Sequence, residues 1–255
     1  MKVKLRLLGK PFTIYDIRTM AVLLLMIHPF GFLKAQTLQV VTKTIEKTFA
    51  DNIEEIQIQA ERANIEITTW NKPEIRLVLE LTSKHPDKNI ATNDLAIVNY
   101  AANKSGKVLY INNYLLLTKA TPQPQANLRA HYVLQVPAHI SLLVNNSFGK
   151  VVIRGTTKAN TLKTQFCNLD LVNLSGKINV ETHFGELKLT NIDGNIALTT
   201  DHTDAWLKQI KGNCKIRAKY GKFEIDTDKT AIEFDIKTDK TELLYSPAFT
   251  LKNPK

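Results

Sequence analysis

Only two cysteines, Cys167 and Cys214, occur in the 255 residues. In an eighteen-residue frame beginning at Leu142 they fall three segments apart and at different phases. Stacked strands ~4.8 Å apart would then separate their backbones by ~14 Å. A disulfide requires Cα atoms within about 7 Å, so two free thiols are predicted, even in a compartment that would allow a bridge. Long apolar runs are equally scarce. The longest, Met20 to Leu33, falls short of the ~20 apolar residues that span a bilayer. A basic stripe interleaved with aromatic platforms is also missing, which excludes a nucleic-acid surface of the usual kind.

The apolar run does have a context. Lys2, Lys4, Arg6, Lys10 and Arg18 precede it and it ends near Ala35. A basic stretch followed by a short apolar one reads as a secretory signal peptide over residues 1–35, cut after Ala35. An uncleaved anchor is the alternative. Gln36 and not a cysteine directly follows the cut, so a lipid-anchored form has no residue there to carry it. Without this segment the chain holds 28 basic and 23 acidic residues, and its net charge drops from +10 to about +5. The remaining charges alternate in sign along the chain, as on an ordinary soluble surface.

What is abundant is regularity. From about Leu142 to Leu243, Phe148, Phe166, Phe184, His202 and Tyr220 are spaced by eighteen. So are Val144, Leu162, Val180, Leu198, Ile216 and Phe234. Ile153, Leu171, Leu189, Leu207, Ile225 and Leu243 form a third phase, and Gly176, Gly194 and Gly212 a fourth. Fixed-period similarity in short alternating segments is the signature of a stack whose units bury their apolar faces only against one another. The expected fold is all-β, a parallel β-helix or β-solenoid with ~18-residue coils. Within one coil, Ile178, Val180, Thr182 and Phe184 are expected to point inward, Gly185 to turn the chain, and Leu187 and Leu189 to point inward again. The aromatic column then reads as a core ladder. Residues eighteen apart also pair charges outside: Lys163 with Glu181, Asp170 with Lys188, Lys215 with Glu233, and Arg217 with Asp235.

Ahead of this register, residues 36–140 are expected to form a β-rich amino-terminal portion that caps the stack, with residues 141–255 supplying the coils and a carboxy-terminal cap. Thr37 to Phe49, Ile56 to Ala60, Asn64 to Ile67 and Ile75 to Leu81 read as strands. A short helix is predicted over His85 to Leu95. Ile97 to Ala102 and Val108 to Tyr114 flank Lys104-Ser105-Gly106 as a hairpin. Pro122 and Pro124 mark a surface loop over Thr118 to Asn127, and a strand over His131 to Val136 ends at Pro137.

Chemistry-bearing residues are few. His183 and Asp201, eighteen apart, should be neighbours, while His202 at an aromatic position should turn inward. Two exposed ligands do not close a zinc site, which takes three or four protein donors, so no metal is expected. Asp170, Glu186, Asp204 and Glu224 fall near one another with Lys188 and Lys222 among them. Clustered carboxylates in a groove would suit polysaccharide hydrolysis, but the coils are uniform and lack inserted walls, which favours a solvated mixed-charge face. Trp206 shares its phase with Val152, Asp170, Lys188 and Glu224 and should face solvent. It is the candidate binding residue, able to stack on a sugar or a partner surface.

Ile65-Glu-Ile-Thr-Thr-Trp-Asn71, the strand closing on Val136-Pro137, and Asn146-Ser-Phe-Gly-Lys-Val-Val-Ile153 with its echoes at His183–Leu189 and Lys219–Ile225 resemble the putative-adhesin β-strand-repeat family of unknown function from Bacteroidota envelopes. The resemblance spans nearly all of the chain after the leader. It implies a parallel β-helix outside the cytoplasm with a surface or adhesin-like role, and it brings no catalytic residues. Cys167 and Thr203 depart from it by standing where glycine is expected, which predicts strain at two corners. The combined expectation is a non-catalytic, secreted or periplasmic, adhesin-like or structural module without cofactors. A cell-surface glycan or an envelope protein would be its partner, and it would not be integral to a membrane after signal cleavage. The alternative is a carbohydrate-active β-helix enzyme.

Overall fold

A computed structural model describes residues 6–7, 10–11, 37–50, 52–118, 123–227 and 232–245. The chain divides into two compact units, Met1–Thr37 and Leu38–Lys255. In the first, β1 (Arg6–Leu7) pairs antiparallel with β2 (Lys10–Pro11). The apolar run and the cut after Ala35 lie outside the described residues.

The described residues of the second unit are all-β, one curled sheet with one α-helix. Its strands are β3 (Gln39–Phe49), β4 (Glu55–Glu61), β5 (Ala63–Trp70), β6 (Ile75–His85), β7 (Val98–Ser105), β8 (Val108–Leu115), β9 (Asn127–Pro137), β10 (Ser141–Arg154), β11 (Asn160–Asp226) and β12 (Ile232–Tyr245). Period-two alternation accounts for most of them: in β6, Ile75, Leu77, Leu79 and Leu81 are buried while the residues between them are not. Helix α1 (Lys88–Ala96) starts three residues later than the pattern predicts. Pro86 disfavours helical backbone at His85, and the Asp87 carboxylate caps the helix by accepting the Asn89 N–H at 2.7 Å. Beyond α1, β7 and β8 form the expected antiparallel hairpin, turning at Gly106 with φ +57°.

Parallel pairing dominates the rest. Leu142 lies beside Asn160, Val144 beside Leu162 and Ile153 beside Leu171, an offset of eighteen between β10 and β11. Inside β11 the same spacing brings side chains together: Thr164 Oγ1 donates to Thr182 Oγ1 at 2.9 Å, and Asn191 Nδ2 to Asn173 Oδ1 at 2.8 Å. On its other side, β10 pairs in parallel with β4 along its first half and with β5 along its second. The bend between the halves is a residue in the left-handed region, Phe148 at φ +62°, and its neighbour in register, Arg62, has φ +53°.

That bend recurs at Phe166, Phe184, His202 and Tyr220, all with φ between +50° and +56°. Left-handed backbone costs a side-chain-bearing residue roughly 1–2 kcal/mol. Stacking of adjacent rings returns about 0.5–1.5 kcal/mol per pair, so the two effects are of one size. The following position alternates between glycine and small side chains. A Cβ on Gly185 would lie 2.0 Å from the Cys167 carbonyl oxygen, and one on Gly221 would lie 2.2 Å from that of Thr203. Cys167 and Thr203 themselves are buried at negative φ, so the expected corner strain is absent. Their side chains turn inward, and Thr203 Oγ1 donates to the Asp201 carbonyl at 3.1 Å.

Inside, Leu162, Leu169, Leu171, Ile178, Val180, Leu187, Leu189, Leu198 and Ile216 are essentially inaccessible. Both cysteines are free and buried. A polar column, Asn146, Thr164, Thr182 and Thr200, runs through this core, and at its end the Thr200 hydroxyl has no partner among the described residues.

Two expectations need correction. Phe148, Phe166 and Phe184 are 44%, 45% and 40% exposed, and His202 is exposed as well, so the aromatic column lies outside the core. Left-handed backbone projects a side chain outward at a corner, and periodicity alone cannot distinguish a corner column from an inward one. Nor does the eighteen-residue offset persist to the end. β11 and β12 pair at twenty, with Cys214 beside Phe234 and Phe223 beside Leu243. Thr227, ahead of β12, bonds Ile210 N and O through its hydroxyl.

Gly185→Ala should lower stability by about 3 kcal/mol, combining disfavoured φ with a backbone clash, whereas Gly106→Ala, with open space around it, should cost about 1 kcal/mol. Urea unfolding of both variants checks the contrast. Thr200→Val, which removes an unpartnered buried hydroxyl, should raise stability by about 1 kcal/mol in the same assay.

Candidate functional site

Three outward features border the aromatic corner. The first is the corner itself. Ring centroids are separated by 5.0 Å from Phe148 to Phe166, 4.9 Å to Phe184, 4.9 Å to His202 and 4.3 Å to Tyr220. The rings cover one another's faces and present edges to solvent, which rules the column out as a platform for stacking a planar ligand. Cations close its far end: Lys219 Nζ and Lys240 Nζ lie 5.3 Å and 5.4 Å from the Tyr220 centroid. Lys240, at φ +50°, is the corner residue of β12.

The second is a groove of about 380 Å³ on the strand face that precedes the corner, lined by Gln59, Asn145, Lys163, Glu181 and His183 among others. Register places these side chains in adjacent rows. Asn145 Nδ2 donates to Gln59 Oε1 at 3.0 Å, and Lys163 meets Glu181 at 3.5 Å as expected. His183 lies 3.9 Å from Asp201 and 3.8 Å from Glu181. His202 turns outward and its Nδ1 contacts Asp201 at 2.7 Å. The predicted His183–Asp201 neighbours are therefore together, and His202 joins them from outside. Among the described residues no group of three or more His, Cys, Asp or Glu is arranged to hold a metal.

The third feature is the face carrying Trp206. The ring is half-buried, with Lys188 Nζ 5.1 Å from its centroid, and Glu224 lies beside its indole. Glu224 also accepts from Lys222 at 2.7 Å, and this cation, with the indole, holds the carboxyl below its ordinary pKa. The other acids of this face are occupied too. Asp170 binds Arg154 at 3.0 Å, Glu186 binds Lys188 at 3.2 Å, and Asp204 Oδ1 accepts the Lys222 backbone N–H at 2.9 Å. The expected Asp170–Lys188 pair is replaced by these contacts. Arg217 reaches Asp235 at 2.6 Å across the shifted register, although Lys237 is its strand neighbour. Asp235 is accordingly held below its ordinary pKa by that guanidinium.

Sequence reasoning missed a further surface feature. Tyr114, Leu115, Leu116 and Leu117 are 45%, 42%, 59% and 44% exposed. Four consecutive apolar residues at a strand end, just before a proline-bearing loop, were the available signal.

No protein-family model matches the chain, and neither does any curated protein. Similar solved structures include a putative cell adhesion protein from Clostridium sporogenes, with 11% identity and a TM-score of 0.32 over 81% of this chain and 100% of that one. A putative adhesin from Bacteroides fragilis has 13% identity and a TM-score of 0.34 over 81% and 96%. Another, from Parabacteroides merdae, has 12% identity and a TM-score of 0.29 over 82% and 96%. These names match the family that the sequence resembles. None of them assigns a ligand or a residue role to this chain.

Because Glu224 is held below its ordinary pKa, its contacts with Lys222 and Trp206 persist until the pH falls beneath the usual glutamate value of about 4.3. In a Trp70→Phe background, Trp206 fluorescence should change with a midpoint under that value, and Lys222→Ala should move the midpoint upward.

Proposed function

We propose that this chain is a non-catalytic, adhesin-like or structural module of the cell envelope. The module is a parallel β-solenoid of ~18-residue coils, with residues 36–140 as its amino-terminal cap and residues 1–35 as a leader cut after Ala35. Its place is extracytoplasmic, in the periplasm, at the cell surface or secreted. Among the described residues no helix is long and apolar enough to cross a membrane.

The observation that carries this reading is the state of the four clustered acids. Asp170, Glu186 and Glu224 each hold a lysine or arginine, and Asp204 accepts a backbone N–H. A general acid for glycoside cleavage needs a carboxyl whose pKa is raised by burial or a like charge, and Glu224 is shifted the opposite way. The polysaccharide-processing alternative therefore loses its best residues, while a surface of paired charges and regularly spaced side chains supports adhesion through several weak contacts.

Trp206 is the residue of this surface most suited to a sugar or partner, since aromatic groups with a polar handle dominate such contacts. A glycan array probed with the secreted form should give a signal that Trp206→Ala weakens by about tenfold or more, the usual cost of losing an anchoring aromatic. A retained signal would remove Trp206 from the contact, and release of reducing ends from a bound polysaccharide would reinstate the enzyme.

A further inference from the structure

The run Tyr114–Leu117 departs from the rule that governs the rest of the molecule. On a strand packed over a core, successive side chains alternate between cover and solvent. Here the last two residues of β8 and the two that follow it are all apolar and all exposed, so apolar surface reaches solvent on both faces of the segment. Its backbone is nevertheless fixed: Leu115 pairs with Val98, and Leu116 N donates to the Ile97 carbonyl at 2.8 Å. The adjoining chain is tied as well, since Asp94 Oδ2 accepts the N–H groups of Gln125 and Ala126 at 2.7 Å each. These leucines are held out rather than loosely displayed.

Positive charge accompanies them. Arg62 and Arg129 line one cavity of about 270 Å³ together with Tyr114, Leu115 and Pro124. Both arginines are exposed, and Arg129 makes no ion pair among the described residues. Glu61, 3.9 Å from Arg62 and itself exposed, lines the same cavity, which leaves two guanidinium groups to one carboxylate there.

We infer that this corner docks on the surface of a lipid bilayer bearing anionic head groups. The leucines enter the acyl boundary, Tyr114 sits at head-group depth, and Arg62 and Arg129 meet phosphates. Aromatic rings with a polar tip favour that depth, and guanidinium groups match phosphate oxygens in pairs. A segment that shows apolar surface on both faces suits a fluid medium that can fit around whatever is exposed, whereas a protein partner would have to supply a cup of the same shape. Apolar insertion together with attraction to anionic lipid is the combination that gives reversible attachment.

The test places a polarity-sensitive fluorophore at Leu116→Cys in the full chain, with Glu233→Cys on β12 as the control. Cys167 and Cys214 do not compete, because both are 1% exposed and burial raises their thiol pKa, that of Cys214 to about 12. Vesicles of phosphatidylcholine containing phosphatidylglycerol should blue-shift the label at 116 and leave that at 233 unchanged. Arg129→Glu should weaken the response about fivefold or more, given roughly 1 kcal/mol per basic residue at an anionic surface. A local readout separates this contact from any insertion of the leader's apolar run. Absence of a shift at 116, equal shifts at both positions, or a shift produced by concentrated unlabelled chain or another protein instead of vesicles would overturn the inference.

Discussion

The left-handed corner shared by strands in parallel register is the constraint on which the remainder of the second unit depends. Every ladder hydrogen bond between β10 and β11 requires the chain to bend at matching points. If one segment bent a residue early, the period-two alternation beyond the bend would invert, and a row such as Leu187 and Leu189 would exchange places with Glu186 and Lys188. Keeping Phe148, Phe166, Phe184, His202 and Tyr220 at one conformation therefore preserves the core more than any single apolar contact does. Glycine after the corner belongs to the same constraint, because the carbonyl of the segment below occupies the place of its Cβ.

The two ends of the parallel array meet this constraint differently. At the amino-terminal side, β4 and β5 repeat the corner at Arg62, and β9 then turns the pattern antiparallel by pairing with β6, which pairs with β3. An antiparallel partner needs no corner in register, so the sheet can stop there without strain. At the other side, β12 carries two more residues per turn of chain and keeps Lys240 at the corner. A cation in place of a ring ends the aromatic column without leaving another apolar face in water. Ile232, Phe234, Ile236 and Leu243 are only partly buried, as expected where packing comes from one side.

Much of this was legible in the sequence because alternation and spacing report directly on burial. The strands around Ile56, Ile65, Ile75 and Tyr132, the hairpin at Gly106, the eighteen-residue offset of β10 and β11, and the free cysteines all follow from period and length. The direction of the aromatic column did not. A ring that recurs every eighteen residues gives the same sequence pattern whether it fills a core or rides a corner, and only φ separates the two. His202 and Tyr220, polar members of the column with glycine often next in sequence, were the available hint. The offset of twenty at β12 was hidden for a different reason: Arg217 and Asp235 meet at 2.6 Å either way, since a long guanidinium side chain spans the diagonal. Trp206, expected to face solvent, is half-buried, and its engagement by Lys188 depends on rotamers that spacing does not specify.

The outer surface inherits its properties from the same register. Exposed ion pairs contribute only ~0–1 kcal/mol each, so Lys163–Glu181 or Arg154–Asp170 can do little to hold the fold. Their effect is on what the surface can do. A carboxylate paired with a cation still offers lone pairs, and its partner still offers donors, to hydroxyl or amide groups of a visiting molecule. Rings stacked face to face lose the platform that would bind a single sugar strongly but keep polarised edges at about 5 Å intervals. Such a surface offers many modest contacts to an extended partner, because regular spacing distributes its chemistry evenly instead of converging it on one atom.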